Sequence, residues 1–116
     1  MKNDPVRKRL GFAVAGIREG WRRERSFRTH LGVAAAVVVA LCVLRPAPIW
    51  WALAALVIAV ILAMELFNGA LETLVDHLHP EQHPEIGVVK DMAAGAVLLI
   101  AGASVVIAIA MICAEF

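Results

Sequence analysis

Three apolar runs constrain this chain more than any other feature of its sequence. They cover residues 31–44, 49–64 and 92–114. The third run alone reaches the ~20 residues that a helix needs to cross the hydrocarbon core of a bilayer, and the first two reach it if their polar flanks continue as helix. The chain has 116 residues, of which 61% are hydrophobic and 18% are charged, and a soluble domain of this size could not bury so much apolar surface. The sequence therefore predicts an all-α membrane protein.

Charge is distributed unevenly along the chain and predicts its orientation. Nine of the eleven lysines and arginines lie in residues 1–28, whereas residues 65–91 hold six acids and one lysine. Short basic segments beside membrane spans stay on the cytoplasmic side. We therefore expect the amino terminus and residues 65–91 to be cytoplasmic and the proline-containing turn at 45–48 to lie outside. A basic arm can also bind nucleic acid, but beside a long apolar run a membrane flank explains it more simply, and no nucleic-acid partner is predicted.

The basic segment before the first run carries one apolar stripe. Its members recur at helical spacing within a helix predicted over residues 7–28, and they are Leu10, Val14, Ile17 and Trp21. This pattern is typical of a helix that lies on the membrane surface. The helix either serves only as an anchor or also contacts the substrate, in which case Trp21 and Arg28 are the candidates.

The whole chain is predicted to be a single domain, because its length allows little else. Its predicted parts are a cytoplasmic surface helix at 1–28 and transmembrane helices at about 29–44, 49–66 and 92–114. Small residues at 93–96 and 101–103 permit close contact between helices. Three helices with small side chains form only a small bundle within one chain, so we expect the protein to be an oligomer.

Four polar residues share one helix face where the second run ends. At ~100° per residue, a narrow stripe contains Glu65, Asn68, Glu72 and Asp76. A charge at bilayer depth costs ~2.5–3.5 kcal/mol on insertion scales, so such residues mark functional sites by default. A solvated helix end would explain Asp76 and, in part, Glu72, but it explains poorly why Glu65 follows directly on the apolar run. Carboxylate and amide oxygens suit Mg²⁺ held together with substrate phosphates, and another carboxylate can take a proton from an attacking hydroxyl.

Further polar residues flank this stripe in sequence. Glu24 is a second candidate acid, although a pair with Arg28 one turn later would also explain it. Lys90 provides a cation that could meet a phosphate, and Asp91 provides one more acid. No glycine-rich phosphate loop of known spacing occurs, so a nucleotide must be held through a metal ion and side chains. Three histidines do not have the spacing of known zinc sites and predict a surface turn instead; they are His77, His79 and His83.

The pattern Glu65-x-x-Asn68-x-x-x-Glu72-x-x-Val75-Asp76 resembles the signature of the prokaryotic diacylglycerol kinase family, which includes the undecaprenol kinases. Three further segments occur in the order and spacing of that family. They are ERSFR at 24–28, EQHP at 81–84 and KDMAAG at 90–95. The resemblance covers nearly the whole chain. Two positions depart from the pattern: Phe12 stands where many members have a tyrosine near the nucleotide, and Ala94 replaces a serine of some members.

The resemblance implies a fold and an activity. The implied fold is a surface helix and three transmembrane helices, assembled as a homotrimer with active sites shared between subunits. The implied reaction transfers the γ-phosphoryl group of MgATP to a lipid hydroxyl at the cytoplasmic face of the bacterial inner membrane. Diacylglycerol is the favoured lipid, and undecaprenol is the alternative within the family.

The resemblance also implies roles for individual residues. Glu65 matches the general base, and Glu24 and Glu72 match the pair that holds Mg²⁺ and, through it, the ATP phosphates. Asn68 and Asp76 match supporting positions. The residues that match nucleotide contacts are Glu24, Glu72, Glu81, Gln82, His83, Lys90 and Asp91.

Two functions from other classes remain as alternatives. A small oligomeric channel or ion-coupling subunit could line a path with intramembrane carboxylates. The acids cluster at one predicted membrane face rather than across it, which counts against a pore. A membrane-anchored interaction protein is the second alternative, and it would leave Glu65 unexplained.

Overall fold

The computed structural model describes residues 2–116, and this part of the chain is helical throughout apart from short connections. Its helices are α1 (Val6–Arg23), α2 (Arg25–Leu44), α3 (Pro48–Leu78) and α4 (Pro84–Glu115). Three of them, α2, α3 and α4, are long and apolar enough to cross a membrane. The predicted all-α class is thus confirmed, and three of its helices are candidate membrane spans.

The two longest helices extend beyond the bilayer core. With 31 residues in α3 and 32 in α4, they measure about 46 and 48 Å at 1.5 Å per residue, against a hydrocarbon core of about 30 Å. The second and third apolar runs therefore continue as helix into polar sequence. The stripe from Glu65 to Asp76 lies on α3, as predicted, and Lys90 and Asp91 lie on the first turns of α4.

A sharp turn joins α2 to α3 at one end of the molecule. Arg45 adopts the left-handed conformation (φ 51°, ψ 57°) that ends α2, and α3 begins with Pro48 in its first turn, where a missing N–H costs nothing. The carboxylate Oε1 of Glu115 accepts a hydrogen bond from the backbone N–H of Ala47 at 3.1 Å. The end of α4 therefore meets this turn, and the opposite end of the molecule holds the start of α2, the end of α3 and the start of α4.

The predicted surface helix over residues 7–28 is divided in the structure. Glu24 has an extended backbone (φ −104°, ψ 108°), so α1 ends at Arg23 and α2 begins at Arg25. No glycine or proline marks this break, and packing supplies its cause. Gly20 of α1 is buried so tightly that a Cβ there would overlap Leu66 of α3, and Phe27 of α2 is among the most buried side chains. The chain must turn between these two positions to bury both.

Arg28 stabilises the break between α1 and α2. Its Nη1 donates hydrogen bonds to the backbone carbonyls of Trp21 at 2.7 Å and Arg22 at 3.2 Å. The last carbonyls of a helix have no partner within the helix, and an arginine that reaches them caps it. The guanidinium predicted to contact substrate is therefore engaged with the end of α1.

Apolar side chains cover the outside of the molecule. Only 6–11% of the most apolar window of each candidate span is buried within the chain. The apolar stripe of α1 is also exposed, with Trp21 at 52%. These surfaces are those expected to contact lipid or other copies of the chain.

Candidate functional site

Glu65 is a buried carboxylate at the polar end of the second apolar run. Its side chain is 4% exposed, and it is the one charged residue in the core of the described chain. Its Oε1 lies 2.9 Å from Nδ1 of His30 on α2. A buried carboxylate is costly without a partner, so this contact accounts for how the fold accommodates Glu65.

Burial falls steadily along the predicted stripe of α3. Glu65 is buried, Asn68 and Glu72 are half-buried, and Asp76 is exposed. The Oδ1 of Asn68 is buried without a hydrogen-bond partner among residues 2–116. The stripe thus leads from an apolar environment to solvent. Between these two ends, the Oδ1 of Asn68 is an oxygen atom that could still accept a hydrogen bond or bind a cation.

The break between α1 and α2 brings Glu24 onto the same part of α3. The Glu24 carboxylate lies directly over Gly69, where an added Cβ would be 2.7 Å from its Oε1. Gly69 lies three residues before Glu72, so the two positions are neighbours on the helix surface. The structure therefore places Glu24 beside the stripe, although the two residues are distant in sequence.

A groove of about 470 Å³ lies between α1 and α3 at this point. Its polar lining includes Glu19, Arg23, Glu24, Thr73 and His77. No group of three or more histidine, cysteine or acidic side chains within residues 2–116 is arranged to hold a metal ion by itself. Mg²⁺ commonly takes one or two carboxylates from the protein and its other ligands from water and substrate phosphates, and the Glu24 carboxylate at this groove is a ligand of that kind.

Lys90 joins the start of α4 to the end of α3. Its Nζ donates a hydrogen bond to Oδ1 of Asp76 at 2.7 Å. That hydrogen bond, together with the charges of Asp76 and Glu72, raises the pKa of Lys90 above its usual 10.5; Lys90 lies before the apolar part of α4. The lysine is therefore cationic at neutral pH and keeps two further N–H donors for another acceptor.

A second groove, of about 540 Å³, lies next to this pair in the loop between α3 and α4. It brings together several residues predicted to contact nucleotide: Glu81, Gln82, His83 and Lys90, with Asp76 beside them. Asp91 does not line it and is exposed. Glu72 lines neither groove, although its charge acts on Lys90.

Two of the histidines stabilise this loop. Nδ1 of His83 accepts a hydrogen bond from the backbone N–H of Glu85 at 3.1 Å and so caps the first turn of α4. Nδ1 of His79 lies 3.0 Å from the backbone carbonyl of Glu81, and the two imidazole rings meet edge to face. The predicted surface turn is present, and its histidines contribute to its shape.

Sequence reasoning missed His30. This residue directly precedes the first apolar run, and it provides the contact to Glu65. The signal that could have identified it is an ionisable side chain at the edge of a span, the same signal that identified Glu65. Nothing in the sequence pairs the two, because they lie on different helices.

Comparison with known proteins gives one consistent result. A model of the family described as prokaryotic diacylglycerol kinase matches residues 11–112. The chain is 37% identical to a diacylglycerol kinase of Synechocystis over 83% of its own length, and it spans 55% of that longer relative. It is 37% identical to an undecaprenol kinase of Bacillus subtilis over 82% of this chain and 77% of the relative. It is 34% identical to a diacylglycerol kinase of Escherichia coli K12 over 79% of this chain and 75% of the relative.

Proposed function

This chain belongs to the prokaryotic diacylglycerol kinase family, a family of lipid kinases, and we propose that it transfers the γ-phosphoryl group of MgATP to diacylglycerol. The product is phosphatidic acid. The reaction takes place at the cytoplasmic face of the bacterial inner membrane, where a water-soluble nucleotide and a lipid hydroxyl can meet. The observation that carries this proposal is the buried Glu65 at the polar end of a membrane span, beside the Glu24 carboxylate and the Lys90–Asp76 pair.

Glu65 serves as the general base. It lies where an apolar run gives way to polar helix, the depth at which a lipid hydroxyl emerges from the acyl region. The carboxylate takes the proton of that hydroxyl as the oxygen attacks the γ-phosphorus. The bond between the γ-phosphorus and the oxygen that bridges to the β-phosphate breaks, ADP leaves, and Glu65 returns the proton to solvent.

Glu24 and Glu72 would hold Mg²⁺ together with the ATP phosphates. Glu24 lies over Gly69, one helical turn from Glu72, and the unpartnered Oδ1 of Asn68 lies on the same helix. Two carboxylates and an amide oxygen are the hard ligands that this ion prefers. When bound, Mg²⁺ would neutralise phosphate charge, the main requirement of phosphoryl transfer.

The loop between α3 and α4 binds the nucleotide. Lys90 is held at its edge by Asp76, and Glu81, Gln82 and His83 line the same groove. The lysine ammonium group is a point charge with three N–H donors, so Lys90 can stay hydrogen-bonded to Asp76 and still donate a hydrogen bond to a phosphate. Asp91 contributes at the start of α4, and Asp76 has a supporting role.

The active unit is a homotrimer whose subunits share their sites. Within one chain, most of the apolar surface of α2, α3 and α4 stays exposed and is free to pack against other copies. Small residues along α4 permit such close helix contacts. The amino terminus is cytoplasmic, which the basic residues of 1–28 support, and α1 lies on the membrane with Trp21 toward the lipid.

Undecaprenol is the second candidate substrate. The undecaprenol kinase of Bacillus subtilis and the diacylglycerol kinase of Synechocystis are equally similar to this chain, at 37% identity. Both lipids present a hydroxyl at the membrane interface, so the same base, metal and nucleotide residues would act on either.

Phosphate transfer from γ-labelled ATP tests the proposal. Purified protein in mixed micelles receives diacylglycerol and undecaprenol side by side, with Mg²⁺ and with chelator. We expect Mg²⁺-dependent label in phosphatidic acid. If only undecaprenyl phosphate carries the label, the protein is a kinase whose substrate is undecaprenol rather than diacylglycerol. If the folded protein labels neither lipid, the result favours the channel alternative.

A further inference from the structure

His30 is the one ion-pair partner of Glu65 within residues 2–116. The side chain of His30 is 27% exposed, that of Glu65 is 4% exposed, and Nδ1 and Oε1 are 2.9 Å apart. Among residues 2–116, no other cation lies within ion-pair distance of the Glu65 carboxylate. The position of the proposed base therefore depends on this histidine.

The surroundings of His30 identify which ring nitrogen carries hydrogen. Nδ1 also lies 3.1 Å from the backbone carbonyl of Ser26, one turn earlier on α2. A carbonyl oxygen and an ionised carboxylate both only accept hydrogen bonds. Nδ1 therefore carries the hydrogen that it donates to the Ser26 carbonyl, and Oε1 of Glu65 lies within ion-pair distance of the same nitrogen.

The same geometry fixes the direction of the imidazole ring. The Ser26 carbonyl belongs to the hydrogen-bond ladder of α2 and is therefore rigid relative to the helix. The ring held against it places Nδ1 2.9 Å from Oε1 of Glu65 on α3. Two oxygens belong to Glu65, and the structure pairs one of them, Oε1, with this nitrogen.

From this geometry we propose that His30 is a positioning residue for the base of the lipid kinase reaction. Its imidazole, with Nδ1 2.9 Å from Oε1, holds that oxygen of Glu65 in place and leaves Oε2 to accept the proton of the lipid hydroxyl. That proton moves to Oε2 while the lipid oxygen bonds to the γ-phosphorus and the bond to ADP breaks. His30 itself exchanges no proton in this step. This inference rests on the proposed function, because it assigns His30 a role in that reaction.

Replacement of His30 by asparagine and by leucine tests the inference. The asparagine Nδ2 lies close to the position of the histidine Nδ1, so His30→Asn keeps the donor, whereas His30→Leu removes it. For His30→Leu we expect kcat to fall about 10- to 100-fold, the factor that one lost polar contact to a charged group corresponds to. We expect the KM for MgATP to stay unchanged and His30→Asn to retain kcat within a few-fold of wild type.

A double-substitution cycle separates positioning from packing. If His30 acts through Glu65, His30→Leu should cause no further loss when added to Glu65→Gln. Thr29→Val is a matched control, because the Thr29 hydroxyl makes the same kind of contact within α2, to the Arg25 carbonyl at 3.1 Å; its kcat should equal that of wild type.

Three results would overturn the inference: wild-type kcat in His30→Leu, an equal loss from His30→Leu with and without Glu65, or a loss in His30→Asn as large as that in His30→Leu. If His30→Leu does not fold, His30→Gln replaces it, since its donor lies near Nε2 instead. Equal activity of His30→Asn and His30→Gln would then contradict the proposal, and activity in His30→Asn alone would support it. The activity of the wild-type protein in the same assay tests the proposed kinase function independently of the role of His30.

Discussion

The carboxylate of Glu24 occupies the space that a side chain at Gly69 would need. A Cβ at position 69 would lie 2.7 Å from both Cδ and Oε1 of Glu24, well inside ordinary van der Waals contact. The absence of a side chain on α3 thus lets a carboxylate from the α1–α2 junction approach the stripe that carries Glu72. The break at Glu24 and the glycine at 69 together place the two proposed metal ligands on one part of the molecule.

Gly69→Ala should displace the Glu24 carboxylate without unfolding the protein. The group that must move is the end of a flexible side chain rather than backbone, so we expect the melting temperature to change little. The Mg²⁺ concentration at half-maximal activity should rise. Gly32→Ala is the matched control, because a Cβ at Gly32 meets nothing within 4 Å. An unchanged Mg²⁺ requirement in Gly69→Ala would show that the position of Glu24 is not important for metal binding.

Glu72→Gln should weaken metal binding more directly. The substitution keeps the shape of the side chain and removes a charged ligand, so we expect the Mg²⁺ requirement to rise about tenfold or more, as for other losses at metal sites. A titration of activity against Mg²⁺ at saturating ATP measures this. Glu85→Gln is the control, since Glu85 is an exposed carboxylate on the first turn of α4. Equal Mg²⁺ curves for Glu72→Gln and Glu85→Gln would exclude the metal role.

Lys90→Met should raise the KM for ATP while the fold persists. The Lys90–Asp76 pair is solvent-accessible, with side-chain exposures of 36% and 62%, and exposed ion pairs contribute little to stability. The hydrogen bond to Asp76 raises the pKa of Lys90, so the lysine stays charged below about pH 10 and should add no pH dependence near neutrality. Lys90→Arg, which keeps the charge, should recover part of the affinity. A KM for ATP that is the same in all three proteins would remove Lys90 from the nucleotide site.

The sequence predicted those parts of this structure that follow from composition and helical periodicity. The three spans and the continuation of α3 from Ile49 through Asp76 follow from the length of the apolar runs and from the lack of a helix breaker after Met64. The shared face of Glu65, Asn68, Glu72 and Asp76 follows from the helix repeat. Each of these features depends on residues close together in the sequence, so the sequence of one segment is enough to predict it.

The features that were missed depend on contacts between helices. The break at Glu24 has no local signal and results from burial of Gly20 against Leu66 and of Phe27 nearby. The contact of His30 with Glu65 joins α2 to α3, and periodicity within one helix cannot reveal it. The use of Arg28 as a cap depends in turn on the break.

Glu65→Gln gives the most direct test of the central claim, that a buried carboxylate on α3 is the base of a lipid kinase. Positioned general bases contribute about 10²–10⁴-fold, so we expect lipid phosphorylation to fall at least 100-fold. MgATP should still protect the variant against thermal unfolding, by about 2.7 kcal/mol at 100 times its dissociation constant. Wild-type transfer rates in Glu65→Gln would contradict the claim, whereas loss of both transfer and MgATP protection would assign Glu65 to nucleotide binding rather than to proton transfer.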